Sequence, residues 1–378
     1  MSTLYVNGTI HSTSDPYATA LLVEDGSVAW VGADDTAESM RGRSGAGWDV
    51  VDLEGALVVP AFVDSLRLTD SDAGPRAEAA QSGIFLSVTV GRDDATPPAA
   101  PSAASGPRAV GYHLVDAGEA AGTAADLAAL VTGLGAERTA GLAAVVGPGG
   151  LDGAAAAHLT AQATAAGIQL YLLPREAEGF AAVLSALRAT AQFQGTPALG
   201  MARHRLAWNG PVDEESMRTL AENSLSFTAV PATDGTLAAP IAALLNRAVP
   251  VSFGSGDAPA DPWGTLRASL EHREADQRIS ARSGFTAATR AGLRAPPHSL
   301  GTQYSMAGRI APSSPATFGI WAAEALSVQA PDGRVAAWST DTRAGTPLLP
   351  VLEEGTAAPQ CLATVVDGAE VYRSPDWS

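Results

Sequence analysis

The residues LVVPAFVDSLRLTD, 57–70, decide how the chain folds. A continuous apolar run, LVVPAFV, gives way to polar side chains, as in a strand buried on both faces that opens at its C-terminal end. Runs of the same kind recur as IFLSVTV (84–90), AVGYHLV (109–115), GLAAVVG (141–147), GIQLYLL (167–173), ARHRLAW (202–208), SLSFTAV (224–230) and VPVSFGS (249–255). Between them lie helix-like segments such as DLAALVTGL, EGFAAVLSALRATAQ and VDEESMRTLAEN, several with apolar residues at helical spacing. Strands alternating with helices are βα units on a parallel sheet. Eight of them predict an α/β fold, a (β/α)8 TIM barrel, over residues 58–300. The stretch after the second strand, GRDDATPPAAPSAASGPRA (91–109), has no helical pattern and reads as an irregular loop.

Both ends differ from this middle. Residues 1–57 hold short strands and turns, TLYVNGTIH, ATALLVEDGSVAWVG and WDVVDLEGALVV, with hairpin signals at Asn7-Gly8 and Asp25-Gly26. The C-terminal part, with ATFGIWA, GRVAAWST and CLATVVDGAEVYRS, turns again at Asp367-Gly368. The expectation is one small composite β-sandwich domain built from residues 1–57 and 301–378.

Composition narrows the function classes. The 378 residues carry a formal net charge of −17, which speaks against a sequence-independent grip on nucleic acid or an anionic membrane. Every basic residue is arginine, so a Schiff-base lysine, a P-loop lysine or a carbamylated lysine bridging two metals is excluded. The single Cys361 excludes an intrachain disulfide and a cysteine-cluster metal site. The N-terminus lacks the basic and apolar regions of an export signal, and no uncharged apolar run is long enough to span a bilayer, so a cytoplasmic protein is expected.

Several separated pieces together resemble the amidohydrolase superfamily, and within it the branch related to the YtcJ group. They are VVDLEGALVVPAFVDS, GMARHRLAW, VPVSFGSGDAPADPWGTLRASL, ISARSGFTAATRAGLRA and GRIAPSSPATFGIW, in that order along nearly the whole chain. The resemblance implies hydrolysis of C–N bonds other than peptide bonds. It also implies zinc or another divalent ion that lowers the pKa of a bound water at the C-terminal ends of the barrel strands. Where the family shows His-x-His after the first strand, this chain has Ser65-Leu66-Arg67, and a guanidinium cannot ligate a metal. The fourth strand's bridging group has no counterpart among Val145, Val146 and Gly147, and the fifth strand's histidine aligns with Leu173. Of a sixth-strand R-H-R-x-E-H pattern, Arg203, His204 and Arg205 remain while Ala207 and Trp208 end it. The eighth-strand aspartate corresponds to Asp257, with Gly256 inserted before it, and the first-strand aspartate is kept as Asp64.

Two readings follow. The first is a degenerate amidohydrolase-like protein without a catalytic metal or other cofactor. It would act as a binding or scaffold subunit toward a small molecule or protein, and self-association is compatible with it. The alternative is a C–N hydrolase with an atypical metal site or none, using Asp257 and His204 as catalytic groups. Ser65, Arg67, Arg203, Trp208 and Trp263 are the candidate substrate-binding residues. An Arg67–Asp257 ion pair across the first and eighth strands is expected to supply the charge of the lost metal. Trp208 is expected to point into the barrel and plug it, and Ser65 to fill space a ligand once took. His11, His113, His158, His272 and His298 show no metal-ligand spacing.

Overall fold

Eight parallel strands, Phe62–Leu68, Ile84–Gly91, Arg108–Leu114, Thr139–Val146, Leu170–Pro174, Arg205–Trp208, Ser226–Ala229 and Val251–Phe253, pair in sequence order in the computed structural model. The structure describes residues 2–44, 47–68, 75–92, 106–135, 139–297, 304–329, 338–339, 347–353 and 355–377. Most of the irregular stretch after the second strand, 93–105, and the His298 position lie outside the described residues. The sheet closes at its C-terminal end: Gly256 N–H donates to the Leu66 carbonyl at 2.8 Å and Leu68 N–H to the Gly256 carbonyl at 3.0 Å. The fold is therefore a near-closed (β/α)8 barrel.

Strand alternation sorts side chains onto two faces. Leu142, Ala144, Leu170, Leu172, Leu206 and Phe227 face outward and share a core with Leu159 of helix Gly153–Ala166 and Val183 and Leu187 of helix Ala177–Gln194. Their sequence neighbours Ala143, Tyr171, Leu173 and Ala207 face inward, with Val63, Val88 and Tyr112. Helix Ala281–Thr286 continues through a π-helical turn, Ala287–Ala291, into Gly292–Arg294. Phe285 and Ala288 belong to the outer core but Leu293 to the inner one, so the helix passes between the two. Only glycine fits at its crossing, because a Cβ on Gly292 would stand 2.5 Å from Ser65 Oγ and 2.7 Å from Val63 Cγ1.

The first expected strand divides in two. Leu57–Pro60 leaves the barrel and joins a five-stranded sheet with Thr9–Ile10, Phe318–Ala322, Gln360–Val366 and Ala369–Arg373. Pro60 has no N–H to continue a ladder, and the next donor, Ala61 N–H, goes to the Thr317 carbonyl. The barrel strand then begins at Phe62, so Ser65 and Arg67 lie within it rather than beyond its mouth. Strands from both ends of the chain thus share a sheet. Val58, Phe318, Ile320 and Val365 from that sheet pack with Tyr5, Leu21, Val23 and Val31, which lie on the four-stranded sheet made of Ser2–Val6, Ala20–Glu24, Ser27–Gly32 and Asp49–Asp52. Asp25-Gly26 and Asp367-Gly368 turn true antiparallel hairpins, with both residues at positive φ. Asn7-Gly8 does not: Ser2–Val6 and Thr9–Ile10 enter different sheets, and the Asn7 side chain is held by Asp52 at 2.9 Å.

Candidate functional site

The first strand brings together a polar cluster at the barrel rim. Asp64 is buried, and its carboxylate accepts Ser255 N–H at 2.9 Å, the Ser255 hydroxyl at 2.5 Å and Leu66 N–H at 3.2 Å. Burial pushes its pKa up to about 6, against the hydrogen bonds from Ser255 and Leu66 and the nearby Arg67 guanidinium. Arg67 Nη2 pairs with Glu78 Oε2 at 2.7 Å, on helix Pro75–Gln81, and its Nη1 donates to the Ala258 carbonyl and lies 3.4 Å from Ser255 Oγ. The other Glu78 oxygen accepts Ala260 N–H at 2.8 Å. The cluster fastens the segment after the eighth strand to the first strand and its helix. Beside Asp64 a cavity of about 20 Å³ is lined by Val63, Ser255, Asp261 and Thr265, room for about one water.

The expected Arg67–Asp257 ion pair does not form. Asp257 is exposed and has no ion pair or hydrogen bond among the described residues, while Arg67 turns outward to Glu78. The register irregularity between Asp64 and Arg67 causes this, since an extra residue in a strand rotates the side chains that follow. On the first strand it is Leu66 and Leu68 that join the inner core at the mouth.

The other candidates are dispersed. His204 sits at the N-terminal end of the sixth strand, fully buried. Its Nδ1 accepts Leu170 N–H at 3.0 Å, which leaves the proton on Nε2 to donate to Thr164 Oγ1 at 2.9 Å, and that hydroxyl in turn donates to the Thr160 carbonyl. Burial pushes its pKa down to about 4, so it is a neutral structural ring far from Asp257 along the barrel axis. Arg203 is at the same N-terminal end in a left-handed conformation, donating to the Arg294 carbonyl. Trp208 does not plug the barrel: it faces outward and stacks on Phe180, ring centroids 5.1 Å apart. Trp263 is buried in the outer core against Phe62, at 4.9 Å, and Trp321, at 5.6 Å. Ser65 is enclosed in the barrel, and its hydroxyl has no partner among the described residues.

The group that does fill the barrel is Arg205, which the sequence marks as part of the R-H-R pattern but not as a candidate site residue. Arg205 is fully buried, its guanidinium 4.3 Å from the Tyr171 ring centroid and 5.7 Å from that of Tyr112, and Nη2 donates to the Ser65 carbonyl at 3.0 Å. Its Nε and Nη1 have no partner among the described residues. Tyr171 also donates to the Ser65 carbonyl, at 2.8 Å. Above this layer, toward the strand C-termini, Leu66, Leu68, Val90, Leu114, Leu173 and Val230 form an apolar ring.

A divalent ion does not fit these residues. The inward positions at the mouth are aliphatic, the charged group beneath them is a cation, and no three His, Cys, Asp or Glu side chains among the described residues lie together as a ligand set. Of the remaining histidines, His11 bonds the Leu348 carbonyl at 2.9 Å, His113 pairs with Glu119 at 3.1 Å, His158 bonds the Gly122 carbonyl at 3.1 Å and His272 is bonded to Glu274 backbone. Among the described residues no helix is long and apolar enough to cross a membrane.

A barrel with an attached β domain of this kind recurs in solved structures of a triazine hydrolase and of amidohydrolases. Solved structures with the same fold include a variant of atrazine chlorohydrolase from Arthrobacter aurescens TC1 complexed with zinc and atraton, 14% identical with a TM-score of 0.64, covering 98% of this chain and 95% of that one. An amidohydrolase from an environmental sample of the Sargasso Sea is 16% identical, TM-score 0.65, over 99% and 93% of the two chains. N-isopropylammelide isopropylaminohydrolase from Burkholderia multivorans is 14% identical, TM-score 0.59, over 99% and 98%. No family model and no curated protein matches the sequence.

Proposed function

We propose that this chain is a degenerate amidohydrolase-like protein, related to the YtcJ branch, that has no catalytic metal centre and acts by binding, as a scaffold or ligand-holding subunit. The apolar ring at the mouth carries the reading. Leu66, Leu68 and Leu173 stand on the inner face at strand ends, where a hydrolytic centre needs nitrogen or oxygen ligands and an open coordination position. Asp257 and His204, the groups a metal-free hydrolysis would use, are not brought together. One is exposed beyond the eighth strand and the other is locked at the opposite end of the barrel. The barrel from Phe62 onward forms the binding body in this reading, and the sheets shared by the two ends of the chain, with Leu57–Pro60, its attached β domain.

Metal analysis tests it. Protein purified without a histidine tag and dialysed against zinc and manganese should retain far less than one ion per chain. It should also leave triazine, amide and ureide substrates unhydrolysed with either ion added. Stoichiometric metal, together with turnover that is lost in Asp257→Ala, would overturn the reading.

A further inference from the structure

A second polar cluster lies at the opposite, N-terminal face of the barrel. Arg203 precedes the sixth strand, and its guanidinium donates to the carbonyl of Arg294. Arg290 and Arg294 are four residues apart at the end of the helix that crosses into the barrel, so they share one face. Gly308 is packed against Arg290, where a Cβ would meet the Arg290 Cγ at 2.8 Å, and this sets the next residue, Arg309, beside the same helix end. Gln169, on the segment leading into the fifth strand, ties the region down through the Ala295 carbonyl at 2.9 Å.

The guanidiniums of Arg290, Arg294 and Arg309 therefore stand within electrostatic range of one another, and Arg203 is anchored beside them on the Arg294 carbonyl. Among the described residues none of them has a carboxylate within ion-pair distance. Burial and then the neighbouring Arg294 and Arg309 hold the Arg290 guanidinium below its ordinary value, with no acid acting against them. Arg309 Nε is buried without a partner. The helix C-terminus supplies roughly half a negative charge, which accounts for one arginine at most. In a chain whose net charge is −17, an unpaired basic cluster of this kind is not explained by general surface charge.

We propose that the cluster of Arg290, Arg294 and Arg309, with Arg203 beside it, binds a multiply charged oxyanion, the phosphate or pyrophosphate group of a small molecule. Guanidinium forks match phosphate oxygens in pairs, and two or three of them neutralise a dianion. The site lies at the other end of the barrel from the strand C-termini, so it is independent of whether the mouth binds metal.

Calorimetric titration of the full chain with inorganic phosphate and with pyrophosphate, at ionic strength held constant with sodium chloride, tests the proposal. Saturable binding of one anion per chain is expected, stronger for pyrophosphate. It should weaken about tenfold for each guanidinium removed in Arg290→Gln and Arg309→Gln, with circular dichroism unchanged. Should the double variant lose its folded spectrum, Arg294→Gln alone, at an exposed helix end, carries the same expectation. Heats that do not saturate, or equal affinity in wild type and variants, would overturn the proposal.

Discussion

Replacing Asp64 with asparagine should change how stability depends on pH, in a direction opposite to that of carboxylates whose pKa is depressed by ion pairs or hydrogen bonds. Asp64 is buried with a pKa raised from 3.8 to about 6. In the unfolded chain it ionises at its ordinary value, so between the two values the folded state holds the extra proton. The contribution is therefore fully present below about pH 3.8 and is lost as pH rises through 6. A difference of about two units corresponds to roughly 3 kcal/mol, of which about two-thirds is lost between pH 4.5 and 8. Asparagine keeps a carbonyl oxygen for Ser255 N–H but has no proton to lose in this range. Urea unfolding of wild type and Asp64→Asn at pH 4.5, 6 and 8 isolates the effect, because other titrating groups, including His204, cancel in the difference. Wild type should lose about 2 kcal/mol relative to the variant across that range. A flat difference, or one that grows in favour of wild type at high pH, would show that Ser255 and Arg67 outweigh burial.

Two further perturbations test the packing of charge. In a double-mutant cycle of Arg67→Ala and Glu78→Gln, the pair, whose side chains are only 15% and 33% exposed, should couple by about 1–2 kcal/mol in urea unfolding; coupling near zero would mean that the Ala258 carbonyl alone holds Arg67. Arg205→Met should leave the unfolding free energy within about 1 kcal/mol of wild type or raise it, because the buried guanidinium has two nitrogens, Nε and Nη1, without a partner among the described residues and no acid partner there; a loss of more than about 3 kcal/mol would show that its contacts with Tyr112 and Tyr171 outweigh desolvation.

Barrel strands were legible because each apolar run is buried on both faces, and the Asp-Gly hairpins because both residues adopt positive φ. What failed was register. A run read as one strand from Leu57 spans two sheets, with the change at Pro60, and the irregularity between Asp64 and Arg67 then exchanges which side chains face inward. Nothing in LVVPAFVDSLRLTD distinguishes these cases, since both faces of the strand are apolar and a one-residue shift leaves the pattern unchanged. Glu78 was invisible for a related reason: its role depends on where helix Pro75–Gln81 packs, which no local spacing encodes. In ARHRLAW the alternation was readable, but the choice of which parity faces inward was not. The structure puts Arg205 and Ala207 inside and His204 and Trp208 outside.

That parity alters where the compensating charge resides. A cation at the rim was expected from Arg67, but Arg67 is committed to Glu78 outside the barrel. Asp64, left beside it, is raised toward neutrality by burial, so at pH 5 much of it carries no charge that needs an opposite. Inside the barrel the one fixed charge of the middle layer among the described residues is positive, Arg205, held by tyrosine faces and by the Ser65 carbonyl. A divalent cation placed above it would meet Leu66, Leu68 and Leu173 and the repulsion of that guanidinium. Restoring ligands at those three positions would leave Arg205 beneath them, so histidine substitutions there should recruit zinc only when combined with Arg205→Met.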